Sequence, residues 1–279
     1  MSLALCGCAD LKSIRDFSDI SSESAIYTAF AGDYVKSLER QKGYQSCAEE
    51  KEKLDKIIER RKAQLSGLLA IHKEVSDYMS ALGQLASDEI ISYDKSLDEM
   101  HKKMEKIKDE NGKPIFEKKD MDAFGALSKL LAKAATDAYR QNKLKEIIGL
   151  ANNDFQELIT ALKKCVEGGY IESLKNEEEA VKKYYGKILK TAENNPPQDA
   201  AIELLRDRFV EKKDAVDAKI NAAESYVKIL DKIGKGHQLL YDDRNDISSR
   251  LLLSNIKGYS KDISNLYKSV KEIRKEDIR

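Results

Sequence analysis

Hydrophobic residues recur at helical spacing along most of the chain, and the clearest stretch lies between residues 45 and 108. Its apolar positions alternate by four and three residues, which is the spacing of a coiled-coil seam. After one extra step of four, a stutter, the alternation resumes. The pattern predicts one long helix with this seam: Leu54, Ile58, Arg61, Leu65, Leu68, His72, Val75, Met79, Leu82, Ala86, Ile90, Tyr93, Leu97, Met100, Met104 and Ile107.

Turn and breaker residues divide the chain at three places. Gly43 precedes the seam helix, Pro114 follows it, and Pro196-Pro197 stands before the last apolar stretch. Proline disrupts a helix interior, so these residues mark where long helices end. The predicted helices cover about residues 9–40, 45–108, 120–193 and 198–277.

Glycines interrupt the last two predicted helices without changing the apolar period. Gly168-Gly169 is expected to kink the third helix rather than break it, and the stretch from Gly234 to Gly236 is the weakest point of the fourth. The buried face of the fourth helix is predicted to include Leu230, Ile233, Leu240, Ile247, Leu251 and Ile256.

The fold class that follows is all-α. Short connections make neighbouring helices antiparallel, so we predict an elongated antiparallel bundle of three very long helices plus a shorter N-terminal helix. The bundle would be coiled-coil-like, similar in shape to BAR or spectrin modules, and a single domain over residues 9–279. Its expected length is roughly 100–110 Å, with four helices side by side over one half and three over the other.

Composition and charge narrow the functional classes. Charged residues make up 35% of the chain, aromatic residues 7%, and tryptophan is absent, which is typical of long helices. The 49 basic residues balance 49 acidic ones, which argues against a nucleic-acid partner. Residues 99–120 and 257–279 are mildly basic and are expected to meet at one pole, although a solvated mixed-charge surface is the favoured interpretation. No run of eighteen apolar residues is present, so no membrane span is predicted.

The two cysteines outside the N-terminus do not form a predicted disulfide. If the helices fold back about residue 114, Cys47 lies opposite residue 181, which places Cys165 roughly 24 Å further along the bundle. A disulfide needs Cα atoms less than about 7 Å apart. Both cysteines are therefore expected to be reduced and mostly buried.

Residues that could support catalysis or metal binding are sparse. His72 and His101 are roughly 43 Å apart on the predicted seam helix, so they cannot share a metal. His72 is expected to be a hydrogen-bonded core residue, Glu177-Glu178-Glu179 a surface run, and the calcium-loop fragment at 242–246 a solvated helical face. We predict no catalytic residues, no metal site, no cofactor and no enzymatic activity.

Arg61 is unusual because it occupies a position in the apolar seam. Its aliphatic stem could run past the edge of the core and leave the guanidinium in water. Alternatively, it is a buried polar residue that fixes the register of the helices.

The start of the chain carries the motif Leu5-Cys6-Gly7-Cys8. It resembles the lipobox of bacterial lipoproteins, in which Leu, a small or apolar residue, and Gly or Ala precede the Cys that becomes lipidated. The resemblance implies that Cys8 is the lipidated residue, and Ala9 after it resembles lipoproteins released to the outer membrane. Residues 1–8 would then be a start segment with the lipobox remnant, and Met1-Ser2-Leu3 is typical of a vector-derived start.

The functional expectation combines this tether with the helical fold. It is a non-enzymatic, lipid-anchored protein of the bacterial cell envelope, on the periplasm-facing side of the outer membrane, that acts as a scaffold, spacer or binding module. One alternative is a membrane-associated scaffold similar to BAR domains, which dimerise. Another is a sensor or toxin-neutralising bundle with a ligand groove. A homodimer is a further possible partnership.

Overall fold

A computed structural model describes residues 11–26, 28–87, 107–108, 113–134, 141–194 and 199–276. In these ranges the chain is helical apart from turns and one isolated antiparallel bridge between Lys108 and Pro114, so the all-α prediction is confirmed. The helices are α1 Lys12–Ala25, α2 Thr28–Tyr44, α3 Ala48–Ala86, α4 Lys118–Ala134, α5 Gln141–Cys165, a π-helical segment Val166–Ile171, α6 Glu172–Asn194, α7 Asp199–Asp242, a 3-10 turn Arg244–Asp246, and α8 Arg250–Glu276.

Helices α1 and α2 replace the single helix predicted over 9–40. The interruption falls at Ile26, which is 46% exposed. Both helices run antiparallel to α3, as predicted: the Ser22 and Ser76 hydroxyls are 2.9 Å apart, and Lys42 Nζ lies 2.6 Å from Asp55 Oδ1.

The predicted seam is confirmed along α3. Most of its positions are buried, namely Ile58, Arg61, Leu68, His72, Val75, Met79 and Leu82. The helix ends at Ala86, with Ser87 in a turn that donates to the carbonyls of the last helical residues. The predicted continuation over 88–106 lies outside the described residues. Ile107 and Lys108 are not helical, so the helix does not extend to residue 108.

The prediction of one continuous helix over 120–193 is wrong, because α4 and α5 pack against each other. Lys119 Nζ lies 3.2 Å from Glu157 Oε2, whereas these residues would be roughly 57 Å apart in one straight helix. Gly168 and Gly169, in contrast, lie in the π-helical segment that joins α5 to α6, so the chain stays helical there. The segment 141–194 is the longest continuous helical stretch described, at about 80 Å.

The prediction of one helix over 198–277 is also wrong. Residues 243–249 form a corner, and α8 folds back along α7, which brings Lys232 Nζ within 2.6 Å of Asp262 Oδ2. The Asp-rich stretch 242–246 is therefore part of this corner and not a helical face. The corner also changes the helical phase: Leu251 is 71% exposed, and its neighbour Leu252 is buried instead.

The glycines at 234 and 236 allow close helix packing rather than weakening α7, which runs through them without interruption. A Cβ atom on Gly236 would lie 2.4 Å from Cζ of the buried Phe17 of α1. The absence of a side chain at residue 236 thus allows α1 to approach α7 closely.

The continuous helical stretch of α5, the π-helical segment and α6 runs antiparallel to α7. The predicted reversal near Pro196-Pro197 is confirmed by the contacts on either side of it: the Tyr185 and Phe209 rings are 5.8 Å apart, and Lys163 Nζ is 3.2 Å from Asp231 Oδ1. Helix α8 packs along α1, with Lys271 Nζ 2.7 Å from Glu23 Oε1. Residues 257–276 are therefore beside α1, and not a continuation of α7 toward a basic pole.

One part of the α6–α7 pair extends past most of the fold and meets it at the end of α2 and the start of α3. We call residues 182–214 the α6–α7 tip. Among the described residues of this tip none is buried, although it includes the large apolar side chains of Tyr184, Leu204 and Val210, which are 39%, 61% and 52% exposed.

Candidate functional site

A network of charged side chains joins α2 to α6, which run parallel to each other. Arg40 of α2 makes paired hydrogen bonds with Asp33, seven residues earlier on the same helix, at 2.7 and 2.9 Å. It makes a second pair with Glu177 of α6, at 2.6 and 2.9 Å. The Tyr170 hydroxyl donates to Asp33 Oδ2 at 2.7 Å. Bidentate arginine–carboxylate pairs fix geometry strongly, so this network sets the register of α2 against α6.

The electrostatics of this network depend on its burial. Burial raises the pKa of Glu177 above its usual value, and the hydrogen bond from Arg40 only partly offsets this effect. Burial also acts to raise the pKa of Asp33, but the hydrogen bonds from Arg40 and Tyr170 outweigh it, so the pKa of Asp33 is lowered. The prediction that Glu177 belongs to a surface run is wrong: it is 1% exposed, while Glu179 is exposed.

Arg61 of α3 forms a second polar layer next to this network. Its Nη1 donates to the Tyr34 carbonyl at 2.6 Å and to Ser173 Oγ at 2.9 Å, and its guanidinium lies 3.9 Å from the centre of the Tyr34 ring. Ser37 and Gln41 complete the layer through hydrogen bonds to Ser173. Arg61 is 2% exposed, so the alternative in which its guanidinium reaches water is wrong. It joins three helices, which agrees with the register-fixing alternative.

Beyond these layers, where α2 ends and α3 begins, a groove of about 700 Å³ opens against α6. We call it the tyrosine groove. The rings of Tyr44 and Tyr184 are tilted against each other with their centres 5.6 Å apart, and Tyr185 packs beside both. The groove is lined by Tyr44, Gln45, Ser46, Glu50, Ala180, Lys183, Tyr184, Lys187, Ile188, Thr191 and Ala192.

Two lysines give the tyrosine groove a positive edge. Lys183 and Lys187 are four residues apart on α6 and therefore lie on the same face of the helix, and both are exposed. Neither ammonium group has an ion-pair partner among the described residues. The groove thus combines aromatic rings with two cations that are available to an anionic group.

Two other grooves in the described part of the chain contain internal ion pairs. A groove of about 570 Å³ between α7 and α8 is bridged by ion pairs, since Lys232 binds Asp262 and Lys163 binds Asp231 at its edges. A smaller one of about 330 Å³ has two lysines facing three glutamates. Lysines of both grooves are held in ion pairs (Lys163, Lys175 and Lys232), whereas Lys183 and Lys187 form none with the described residues, so the tyrosine groove is the better candidate for a binding site.

The core also holds a buried histidine beside the break between α1 and α2. His72 Nδ1 lies 2.8 Å from the Tyr226 hydroxyl, which donates to the Ala25 carbonyl at 2.9 Å, and Phe30 packs on the imidazole ring. Ala25 is the last residue of α1, so these groups satisfy a carbonyl at a helix end. Burial lowers the pKa of His72 to about 4. The prediction of a hydrogen-bonded core histidine is confirmed.

A second buried histidine begins a hydrogen-bonded chain toward the surface. The Tyr78 hydroxyl donates to His237 Nε2 at 2.6 Å, and His237 Nδ1 donates to Asn152 Oδ1 at 3.0 Å. Asn152 then donates to Gln238, and Gln238 donates to Asp242 at the corner. Burial lowers the pKa of His237 to about 3, so both histidines are neutral at pH 7.

Among the described residues, none of the cysteines and histidines that the sequence analysis singled out lines the tyrosine groove, although Cys47 directly follows its lining residue Ser46. Three others lie outside the described ranges: Cys6, Cys8 and His101. Cys165 is a free, buried cysteine as expected, but Cys47 is free and exposed, which contradicts its expected burial; it precedes α3 at a solvent-facing turn.

The groove residues themselves were missed. Tyr184-Tyr185 is the sole Tyr-Tyr pair in the sequence and lies among lysines, a signal that helical periodicity does not use. Within the described residues there is no cluster of three or more His, Cys, Asp or Glu side chains placed to hold a metal ion. The same part of the chain contains no helix that is long and apolar enough to cross a membrane.

Comparison of the chain with models of protein families, with curated proteins and with solved structures found no match. The geometry of the groove and the lipobox-like start are therefore the basis for the functional conclusion.

Proposed function

We propose that this protein is a non-enzymatic binding module of the bacterial cell envelope, tethered by a lipid on Cys8, which holds a partner protein in the tyrosine groove. The observation that carries the proposal is the groove itself. It combines closely packed tyrosine rings with the unpaired charges of Lys183 and Lys187, at the side of the α6–α7 tip where α2 ends and α3 begins.

The chemistry of the groove indicates the kind of partner. Tyrosine rings give large contact areas at a low entropic cost and are enriched in protein interfaces. Lysines at the edge attract carboxylates and orient the incoming chain. The partner segment is therefore an amphipathic one with exposed apolar side chains between acidic residues.

A curved scaffold similar to BAR domains has less support. Such a module uses long uninterrupted helices that lie side by side. Here two of the predicted long helices are each replaced by two helices that pack against each other, α4 with α5 and α7 with α8. The fold favours a bundle with one projecting tip over an extended membrane-shaping surface.

A photocrosslinking amino acid at residue 184 is expected to give a discrete crosslinked product in cells, because Tyr184 lines the groove. Leu251 is the matched control, since it is also a large, exposed apolar residue but lies at the α7–α8 corner. The product at residue 184 should be lost when Lys183→Glu and Lys187→Glu are introduced. Identical products from residues 184 and 251, or a product at 184 that survives the charge reversals, would contradict the groove as the binding site.

Acyl labelling of Cys8 is expected when the chain is expressed with its natural upstream sequence. A radiolabelled or alkyne-tagged fatty acid should be incorporated into the wild-type protein and into Cys6→Ser, and should be lost in Cys8→Ser. More than one acyl chain is needed for stable membrane anchoring. If Cys8 carries such an anchor, the labelled protein should also fractionate with the envelope. Labelling that persists in Cys8→Ser, or no labelling of the wild type, would remove the lipid tether from the proposal.

A further inference from the structure

The first half of α7 presents an outward face whose chemistry matches the tyrosine groove. Phe209 packs toward α6 against Tyr185. At about 100° per residue, the positions 100° or more from Phe209 comprise alanines, the basic Arg208, which pairs with Glu211, and six acidic or larger apolar residues. The six are Glu203, Leu204, Asp207, Val210, Glu211 and Asp214.

This face is exposed and mostly free of internal ion pairs. Leu204 and Val210 are among the most exposed large apolar residues of the described chain, at 61% and 52%. Glu203 and Asp207 have no ion-pair partner among the described residues. Four carboxylates and two apolar side chains within twelve residues of a helix form the amphipathic, acidic surface that the tyrosine groove is suited to bind.

We infer that the partner in the tyrosine groove is a second copy of this chain, which contributes the outward face of its α7. Charge complementarity carries the inference: Lys183 and Lys187 line the groove with positive charge, while Glu203 and Asp207 give the α7 face its negative charge, one helical turn apart in each case. The inference rests on the proposed function, because it assigns an occupant to the same groove.

The geometry makes this contact head-to-tail. The α7 face points away from α6, while the groove lies on the far side of α6 against α2 and α3. The two surfaces are different patches on different sides of one hairpin, so the interface is heterologous. Each copy then has one groove and one face to offer, and assembly continues from copy to copy, as a scaffold of the envelope requires.

Two charge-reversed variants test the inference with the full chain. The groove variant carries Lys183→Glu and Lys187→Glu, and the face variant carries Glu203→Lys and Asp207→Lys. All four positions are exposed on helices, so circular dichroism melting should show wild-type folding for both variants. The mass in solution is measured by sedimentation over a concentration series, at about 0.05 M and 0.5 M salt.

The wild-type protein should self-associate at low salt, and the apparent association constant should fall at least tenfold in each variant and at high salt. An equimolar mixture of the two variants should regain the self-association of the wild type. The reason is that every contact in the mixture again joins opposite charges: the intact groove of one variant binds the intact face of the other, and the reversed groove binds the reversed face. A self-associating wild type whose mixed variants stay monomeric would overturn the inference.

The failure of this inference is distinguishable from the failure of the proposed function. If the purified wild-type chain stays monomeric while residue 184 still crosslinks to a different envelope protein, the second copy is excluded and the groove keeps its function. If the chain stays monomeric and residue 184 gives no specific product, both are overturned.

Discussion

Between pH 7.5 and pH 5.0 the free energy of unfolding should fall by about 4 kcal/mol, because two buried histidines must stay neutral in the folded protein. The pKa of His72 is lowered to about 4 and that of His237 to about 3, whereas both are near 6.5 in an unfolded chain. A lowered pKa means that the unfolded state binds more protons below pH 6.5. The stabilisation is therefore present above pH 6.5 and is lost as the pH falls toward the folded-state values.

The magnitude follows from the width of this window. Each pH unit below 6.5 costs about 1.4 kcal/mol per histidine, so each of the two contributes about 2 kcal/mol by pH 5.0. The range from pH 7.5 to pH 5.0 lies above the pH values at which most carboxylates titrate, so the two histidines dominate the change in the free energy of unfolding.

Urea denaturation at the two pH values measures this effect. His72→Gln and His237→Gln should each reduce the pH-dependent loss by about half, and the double variant should remove most of it, whatever the stability of each variant at pH 7.5. NMR titration of the wild-type protein gives an independent measurement, in which both imidazoles should remain neutral down to about pH 5. A double variant with an unchanged pH dependence would contradict the assignment.

The parts of the fold that depend on local periodicity were predictable from the sequence. The α3 seam, including the buried positions of Arg61 and His72, follows from a 4-3 spacing that one helix carries by itself. The α7–α8 corner also had a local signal, because residues 242–249 contain six Asp, Asn or Ser residues, which favour turns. The reversal between α4 and α5 had none, since residues 135–140 contain neither proline nor glycine.

The candidate site was less predictable, because it depends on which helices become neighbours. Tyr44 and Tyr184 are 140 positions apart, and they meet because α2 packs parallel to α6. The burial of Glu177 did have a sequence signal. It follows Tyr170 and Leu174 and precedes Val181 at spacings of four, three and four, so it occupies a position of the apolar seam of α6 and not of its solvated face. Because Glu178 and Glu179 follow it directly, residue 177 was interpreted as part of an acidic surface run.

The substitution Arg40→Met should lower the free energy of unfolding at pH 7.5 by about 3 kcal/mol. Removing one member of a buried ion pair leaves the other charges without compensation, and such losses are about 3–5 kcal/mol. Arg40 keeps 31% exposure of its side chain, which favours the lower end, while Glu177 at 1% has little access to water. Adding Glu177→Gln and Asp33→Asn to Arg40→Met should restore more than half of the loss, because the uncompensated carboxylates are then absent.

The pH dependence of the Arg40→Met destabilisation tests whether its cause is electrostatic. Burial already raises the pKa of Glu177, and without Arg40 that pKa rises further, so the folded variant binds more protons than its unfolded state above pH 4.5. The loss relative to wild type should therefore be larger at pH 8 than at pH 5, with the histidine contribution cancelling in the comparison. Because Arg40 also holds Tyr44 of α2 in register with Tyr184, crosslinking from residue 184 should weaken in Arg40→Met and recover in the triple variant. A destabilisation that is equal at both pH values would mean that Arg40 acts through packing alone, and the charged network would not be what aligns the groove.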